Sequence, residues 1–180
     1  MSVKTISQAL TKYNEGYASS RIDSQVFANF TSEFKSFVSE IDKANAKNES
    51  EENIKNIINA FLKKGVYSSD DYTINTKDSI DSAIIRNDKL LVMMEAKKPS
   101  NKPEMITVDD INRKAFHELI LYYLTESRNT DGDKVKRTPH CEIRRLVVTT
   151  GYEWFIFDAN DIENLCDGYL EKHFFRYKNR

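Results

Sequence analysis

Glu95 and Lys97 close the apolar run Leu90-Leu91-Val92-Met93-Met94, and Asp81 lies within an earlier run, Ser79-Ile80-Asp81-Ser82-Ala83-Ile84-Ile85. On a strand, residues two apart point to the same face, so the Glu95 carboxylate and the Lys97 ammonium share one. Charges at the end of an apolar strand are costly unless they pair, hold a metal or do chemistry. A second acid on the preceding strand gives that face two carboxylates and one ammonium. Such a set suits a hard divalent cation, which prefers carboxylate oxygens.

Whether the acids meet depends on register. Directly opposed residues of an antiparallel pair share a face, with Cα atoms roughly 4.5–5.5 Å apart. A two-residue turn at Asn87-Asp88 pairs Arg86 with Lys89 and sets Asp81 opposite Met94, on the wrong face. A three-residue loop, Asn87-Asp88-Lys89, pairs Arg86 with Leu90 and sets Asp81 opposite Glu95. The sequence therefore predicts the longer loop, or a bulge that gives the same parity.

The elements around this pair follow from periodicity. Residues 1–24 read as a polar lead-in. Val26, Phe27, Phe30, Phe34, Phe37, Val38 and Ile41 repeat at helical spacing and predict a helix with an aromatic core face. A second helix is expected from Asn48 or Ser50 to about Lys64, burying Ile54, Ile57, Ile58, Phe61 and Leu62, with Gly65 as its stop. Pro99 and Pro103 break the chain after the strand pair. Thr107-Val108-Asp109-Asp110 resembles a capping box opening a helix to Glu126, with Val108, Ile111, Ala115, Leu119 and Tyr122 inward. Residues 127–142 are charged and turn-rich and predict an exposed loop. Two strands, Arg145–Thr150 and Trp154–Phe157, flank a turn at Gly151-Tyr152. A last helix, capped by Asn160, carries Ile162, Leu165, Cys166 and Tyr169 inward. This order predicts an α/β/α sandwich on a central mixed β-sheet.

Composition bounds the function. The 180 residues are 39% hydrophobic, enough for one core, and 27 Lys plus Arg against 28 Asp plus Glu leave a formal charge of -1. That balance does not advertise nucleic-acid binding, although acids gathered at a metal and bases along a groove would also sum to near neutral. Cys141 and Cys166 form no ligand pattern and fit a reducing compartment. No signal peptide or membrane-length apolar run is present, so a cytoplasmic domain with no membrane partner is expected. His117, His140 and His173 lack zinc-ligand spacing. With 5 glycines in all and no glycine-rich cofactor loop, a methyltransferase is not indicated.

Taken together, Ser50-Glu51-Glu52-Asn53-Ile54-Lys55, Asp81, Val92-Met93-Met94-Glu95-Ala96-Lys97-Lys98-Pro99, the helix Ala115–Leu124 and Val148-Thr149-Thr150-Gly151-Tyr152-Glu153-Trp154 resemble a known pattern. It is that of the PD-(D/E)xK restriction-endonuclease-like domain at the N-terminus of type IIG restriction-modification polypeptides. Type I restriction subunits carry related domains. Ile80 stands where the motif's name has proline, a position without chemistry. The resemblance covers residues 25–175, leaving 176–180 as a tail at a domain boundary.

The resemblance implies Mg²⁺-dependent hydrolysis of double-stranded DNA, with Mn²⁺ as a substitute. Asp81 and Glu95 would hold the metal, Lys97 would orient or activate the attacking water, and Glu51 would match the family's helix glutamate. Glu51 also reads as an ordinary helix-start acid favoured by the dipole. Glu118, Tyr122 and Lys98 are candidates for DNA-backbone or supporting roles, and Glu118 equally reads as a plain polar helix residue. Methyltransferase and target-recognition domains would lie elsewhere in a longer polypeptide, and a dimer would serve double-strand cleavage. Two other classes fit the same residues: an inactive nuclease-like module that binds DNA or protein, and a repair or junction nuclease of the same superfamily.

Overall fold

A computed structural model describes residues 23–77, 80–131, 134–137 and 141–166. The elements are α1 (Ser24–Ala46), α2 (Glu51–Phe61, prolonged by one π turn, Leu62–Val66), β1 (Tyr72–Lys77), β2 (Ile80–Arg86) and β3 (Lys89–Ala96). Then come α3 (Lys114–Ser127), β4 (Arg128–Asp131), β5 (Lys134–Arg137), β6 (Cys141–Thr149), β7 (Trp154–Asp158) and α4 (Ala159–Cys166). Five strands form one sheet in the order β1-β2-β3-β6-β7, and β4 and β5 pair separately. Among the described strands only β3 and β6 are parallel neighbours, and the others in this sheet are antiparallel. The expected mixed-sheet sandwich is therefore present.

Alternation along the strands builds the two cores. Ala83, Met93, Leu146 and Val148 pack with Ala115 and Leu119 of α3 and Ile162 of α4. Their neighbours Ile84, Met94, Ala96 and Val147 pack with Phe37 and Ile41 of α1 and Ile54 and Ile58 of α2. Helices thus cover both faces, and β3, at the centre, is buried on each.

Several expectations are corrected. The aromatic face of α1 is core only in its second half. Phe37 and Ile41 are buried, while Phe27 is 57% exposed and Phe30 and Phe34 are also open. Those two rings stack on each other and tilt onto Phe61. Gly65 does not stop α2 but sits inside the π turn, where an added Cβ would lie 3.1 Å from Glu33 Cβ and a Phe61 ring carbon.

The helix expected from Thr107 begins at Lys114. Thr107 Oγ1 does accept from the Asp110 N–H at 3.0 Å, but Asp110 Oδ1 accepts in turn from the Asn112 N–H. These local bonds give the backbone an alternative to helix, and Val108 is left exposed. In α3 it is Tyr123 and Leu124 that are buried, with Tyr122 only partly so.

The loop expected over 127–142 contains the β4–β5 hairpin. Strand β6 starts at Cys141, four residues earlier than predicted. Helix α4 is capped by Asp158, whose Oδ1 accepts from the Asn160 N–H, and Leu165 is exposed. Tyr169 lies outside the described residues.

Candidate functional site

The strand pair that carries the acids closes through two residues. Arg86 pairs with Lys89, and Asn87 and Asp88 adopt φ 50° and 59°, a type I′ geometry. The three-residue loop is therefore absent. Register shifts one step further in, between Ile84 and Ile85, because β3 holds Leu91 as an extra residue between Leu90 and Val92. Beyond this bulge the pairs are Ile84–Val92, Ala83–Met93 and Ser82–Met94. Extending them by one residue sets Asp81 opposite Glu95, the parity that two carboxylates on one ion require. The Ala96 N–H donates to Asp81 Oδ2 at 2.9 Å, which fixes that carboxylate across the strand end.

Lys97 continues the parallel ladder, its N–H donating to the Thr149 carbonyl at 2.9 Å. Its side chain turns into the protein: Glu95 is 3% exposed and Lys97 is 4% exposed. Lys97 Nζ donates to Glu95 Oε1 at 2.6 Å and to Glu118 Oε2 at 2.8 Å. Glu51 Oε2 and Glu104 Oε2 each stand 3.9 Å from it. Glu51 enters from the first turn of α2, which Ser50 caps, and Glu118 enters from α3 on the opposite layer. The ammonium is thus held between both layers at the end of the sheet.

Further groups to which the sequence assigned no role also join. Asn101 Nδ2 bridges Glu51 Oε1 at 2.8 Å and Glu104 Oε2 at 3.1 Å. Lys114 Nζ donates to Glu104 Oε1 at 2.9 Å. Lys55 Nζ lies 2.9 Å from Asp81 Oδ1 and 2.7 Å from Glu52 Oε2. Lys55 was legible in outline: Glu51, Lys55 and Asn59 follow at i, i+4 and i+8, one polar stripe beside the apolar pair Ile54 and Ile58. Asn59, the third member, accepts a hydrogen bond from buried Ser82. Glu104 and Asn101 lie in a proline-flanked loop without periodicity and left no such signal.

Electrostatics set Glu95 apart. Burial, and then the Asp81 carboxylate, push its carboxyl up to about 8 despite the pull of Lys97. Burial alone would lower the Lys97 ammonium, but its hydrogen bonds to Glu118 and Glu95 outweigh that and raise it, so it stays charged. The Tyr122 phenol is pushed up by burial and by the nearby charges of Glu95, Glu118 and Asp81. Lys98, by contrast, points to Asn48 Oδ1 at 3.3 Å and makes no bond to these acids.

The aromatic and basic residues around the site can be placed as well. Tyr152 donates to Asp42 Oδ1 and Trp154 packs on Phe37, so both anchor the β6–β7 turn to α1. Arg113 pairs with Asp110, and Lys114 with Glu104 and Glu118, so these two bases near the motif are already engaged. The side chains of Lys134, Lys136 and Arg137 lie outside the described residues, as do His140 and His173.

The chain belongs to DUF7149. That family, a domain of unknown function, matches residues 4–180. No curated protein and no solved structure matches the chain.

The DUF7149 site can be tested for a metal on its own donors. Glu95 Oε2 is buried and has no hydrogen-bond partner among the described residues. An orphaned carboxylate oxygen with a second carboxylate directly across the strands fits a hard cation, which takes one or two protein carboxylates and completes its shell with water or phosphate oxygens. No third His, Cys, Asp or Glu converges with them into a ready cage among the described residues. The fit is therefore to an ion that shares its ligands with solvent or substrate.

Proposed function

We propose that this chain is a divalent-metal-dependent endonuclease domain of the PD-(D/E)xK kind, hydrolysing phosphodiester bonds of double-stranded DNA. The observation that carries the reading is the bulge at Leu91, which sets Asp81 opposite Glu95 despite a two-residue turn. The orphaned oxygen of Glu95 adds to it. An inert strand-end salt bridge has no need of either.

Asp81 and Glu95 would hold Mg²⁺, with Mn²⁺ as a substitute. That ion supplies Lewis-acid polarisation of the phosphate and a more acidic water. Lys97 keeps its proton, so it serves as a donor: it would orient the attacking water and offset charge that develops on the phosphate oxygens. Glu118 aims that ammonium from one layer, and Glu51 and Glu104 flank it at greater distance. Tyr122 closes the site on the α3 side. Methyltransferase and target-recognition partners, a dimer and a cytoplasmic setting belong to the same proposal. No helix among the described residues is long and apolar enough to cross a membrane.

The test is cleavage of supercoiled plasmid with Mg²⁺ or Mn²⁺, against chelator and against Lys97→Ala. Nicking that needs the metal and vanishes in the variant supports the reading. A second reading, a non-catalytic interaction module on this fold, draws on the Lys97 ammonium seated among the acids with no ready cage around it. DNA binding without cleavage or metal dependence would put that module first.

A further inference from the structure

Asp81 and Glu95 face each other, yet only one has an oxygen to spare. Asp81 Oδ2 accepts from the Ala96 N–H and Oδ1 is held by Lys55, while Glu95 Oε2 is buried without a partner. An incoming cation therefore finds an unpartnered oxygen on Glu95 and a capped Asp81. We infer that Lys55 is a built-in competitor for the divalent ion, neutralising Asp81 in the metal-free protein and withdrawing when the metal binds. This rests on the metal-binding reading of the Asp81–Glu95 pair and adds its regulation.

The geometry gives the ammonium somewhere to go. Lys55 stands on α2 one turn after Glu51, with its side chain 14% exposed, and it already donates to Glu52, whose side chain is 60% exposed. Glu52 lies three residues before it on the same helix, a spacing that keeps the two side chains neighbours. A flexible four-carbon stem lets a lysine ammonium swing where a rigid guanidinium fork would not. A divalent ion on Asp81 would repel the ammonium at close range, and Glu52 would retain it on the solvent side.

Charge balance gives the cap a purpose. Around the site, Glu51, Asp81, Glu95, Glu104 and Glu118 outnumber Lys55, Lys97 and Lys114. Without metal, Lys55 neutralises Asp81 at the edge of this acidic cluster. Its competition also raises the divalent-ion concentration at which the site fills, so the site answers to a threshold.

The experiment is calorimetric titration of Mn²⁺, and of Mg²⁺ in parallel, into the whole chain and into Lys55→Met, Lys55→Arg and Asp81→Asn. Lys55→Met should bind roughly ten-fold more tightly, since no ion pair is then broken on binding, and ten-fold corresponds to about 1.4 kcal/mol. Lys55→Arg, which keeps the cap, should bind no more tightly than wild type. Binding abolished in Asp81→Asn but unchanged or weakened in Lys55→Met overturns the competitor role and leaves the metal site standing. Absence of binding in every protein overturns both.

A readout that needs no folded variant is the Lys55 ammonium resonance in wild type. Its slow solvent exchange, expected of a held ion pair, should be lost on adding diamagnetic Mg²⁺. A resonance unmoved at saturating Mg²⁺ overturns the inference.

Discussion

Asp81 and Glu95 occupy opposed positions on neighbouring strands, but their surroundings differ in kind. Asp81 has each oxygen matched, by a backbone N–H and by Lys55. Glu95 shares Lys97 with three other carboxylates and keeps one buried oxygen unmatched. An unmatched buried acceptor costs stability that a matched one does not. The Asp81 half is therefore built to hold its place, and the Glu95 half is left in need of something. Sites of function characteristically carry that imbalance, because the missing partner is the ligand.

The largest effect should come from removing Lys97. In Lys97→Ala, plasmid cleavage is expected to fall by roughly 10²-fold or more, while Mn²⁺ affinity by calorimetry stays within a few-fold of wild type. Cleavage at the wild-type rate would remove Lys97 from the chemistry.

The contrast between the halves is broken most directly by making both acids neutral in turn. Asp81→Asn leaves Lys55 without the less exposed of its two counter-charges and should lower the midpoint of thermal unfolding of the metal-free protein at pH 8. Glu95→Gln keeps an acceptor for Lys97 and removes a repelled charge, so the midpoint should hold or rise. Equal destabilisation by both would show that the halves are energetically alike.

The pH dependence sharpens the same point. Folding raises the Glu95 carboxyl from the usual 4.5 to about 8. Between those values the folded protein holds a proton that the unfolded chain has released. Stability of the metal-free protein from this group therefore falls as pH rises through that window. Metal needs the carboxylate, so Mn²⁺ affinity should climb toward pH 8 with release of a proton. Titration in buffers of different ionisation enthalpy reads that proton, and Glu95→Gln should abolish the release.

The smallest effect belongs to the far end of the α2 stripe. Ser82→Ala strips Asn59 of its buried partner and should cost about 1–3 kcal/mol in denaturant unfolding. Mn²⁺ affinity should not change, because that contact only registers the helix on β2.

What could be read from the amino acids tracks how local each cause is. Strand alternation and the parity argument placed Asp81, Glu95 and Lys97 before any coordinate did, since both depend on a period of two. Of the two routes to that parity, the longer loop and a bulge, the protein takes the bulge. Its place at Leu91 leaves no trace in residue type, because leucine is as apolar as its neighbours. Lys55 was assigned no role, because helical spacing puts it on the stripe with Glu51 and Asn59 but does not show that the stripe faces Asp81. The aromatic stripe of α1 signalled a buried face, but periodicity cannot tell how much of a helix finds neighbours to cover it. The β4–β5 hairpin was invisible for the opposite reason, its four-residue strands being polar and paired only with each other. A local turn at Thr107–Asp110 has the residues of a helix start, and the competing bond at Asn112 decided against one.

The bulge at Leu91 also separates two mechanical tasks. The Asn87-Asp88 turn determines how the strands join, whereas Leu91 determines which side chains arrive together at their other end. It works as a phase shifter between a hinge and a tool. The turn should therefore be exchangeable for another two-residue turn, such as Asn-Gly, with no loss at the strand tips. Were Leu91 instead paired with Ile84 in a regular ladder, the same hairpin would carry its tips half a period out of step, and Asp81 would face Met94.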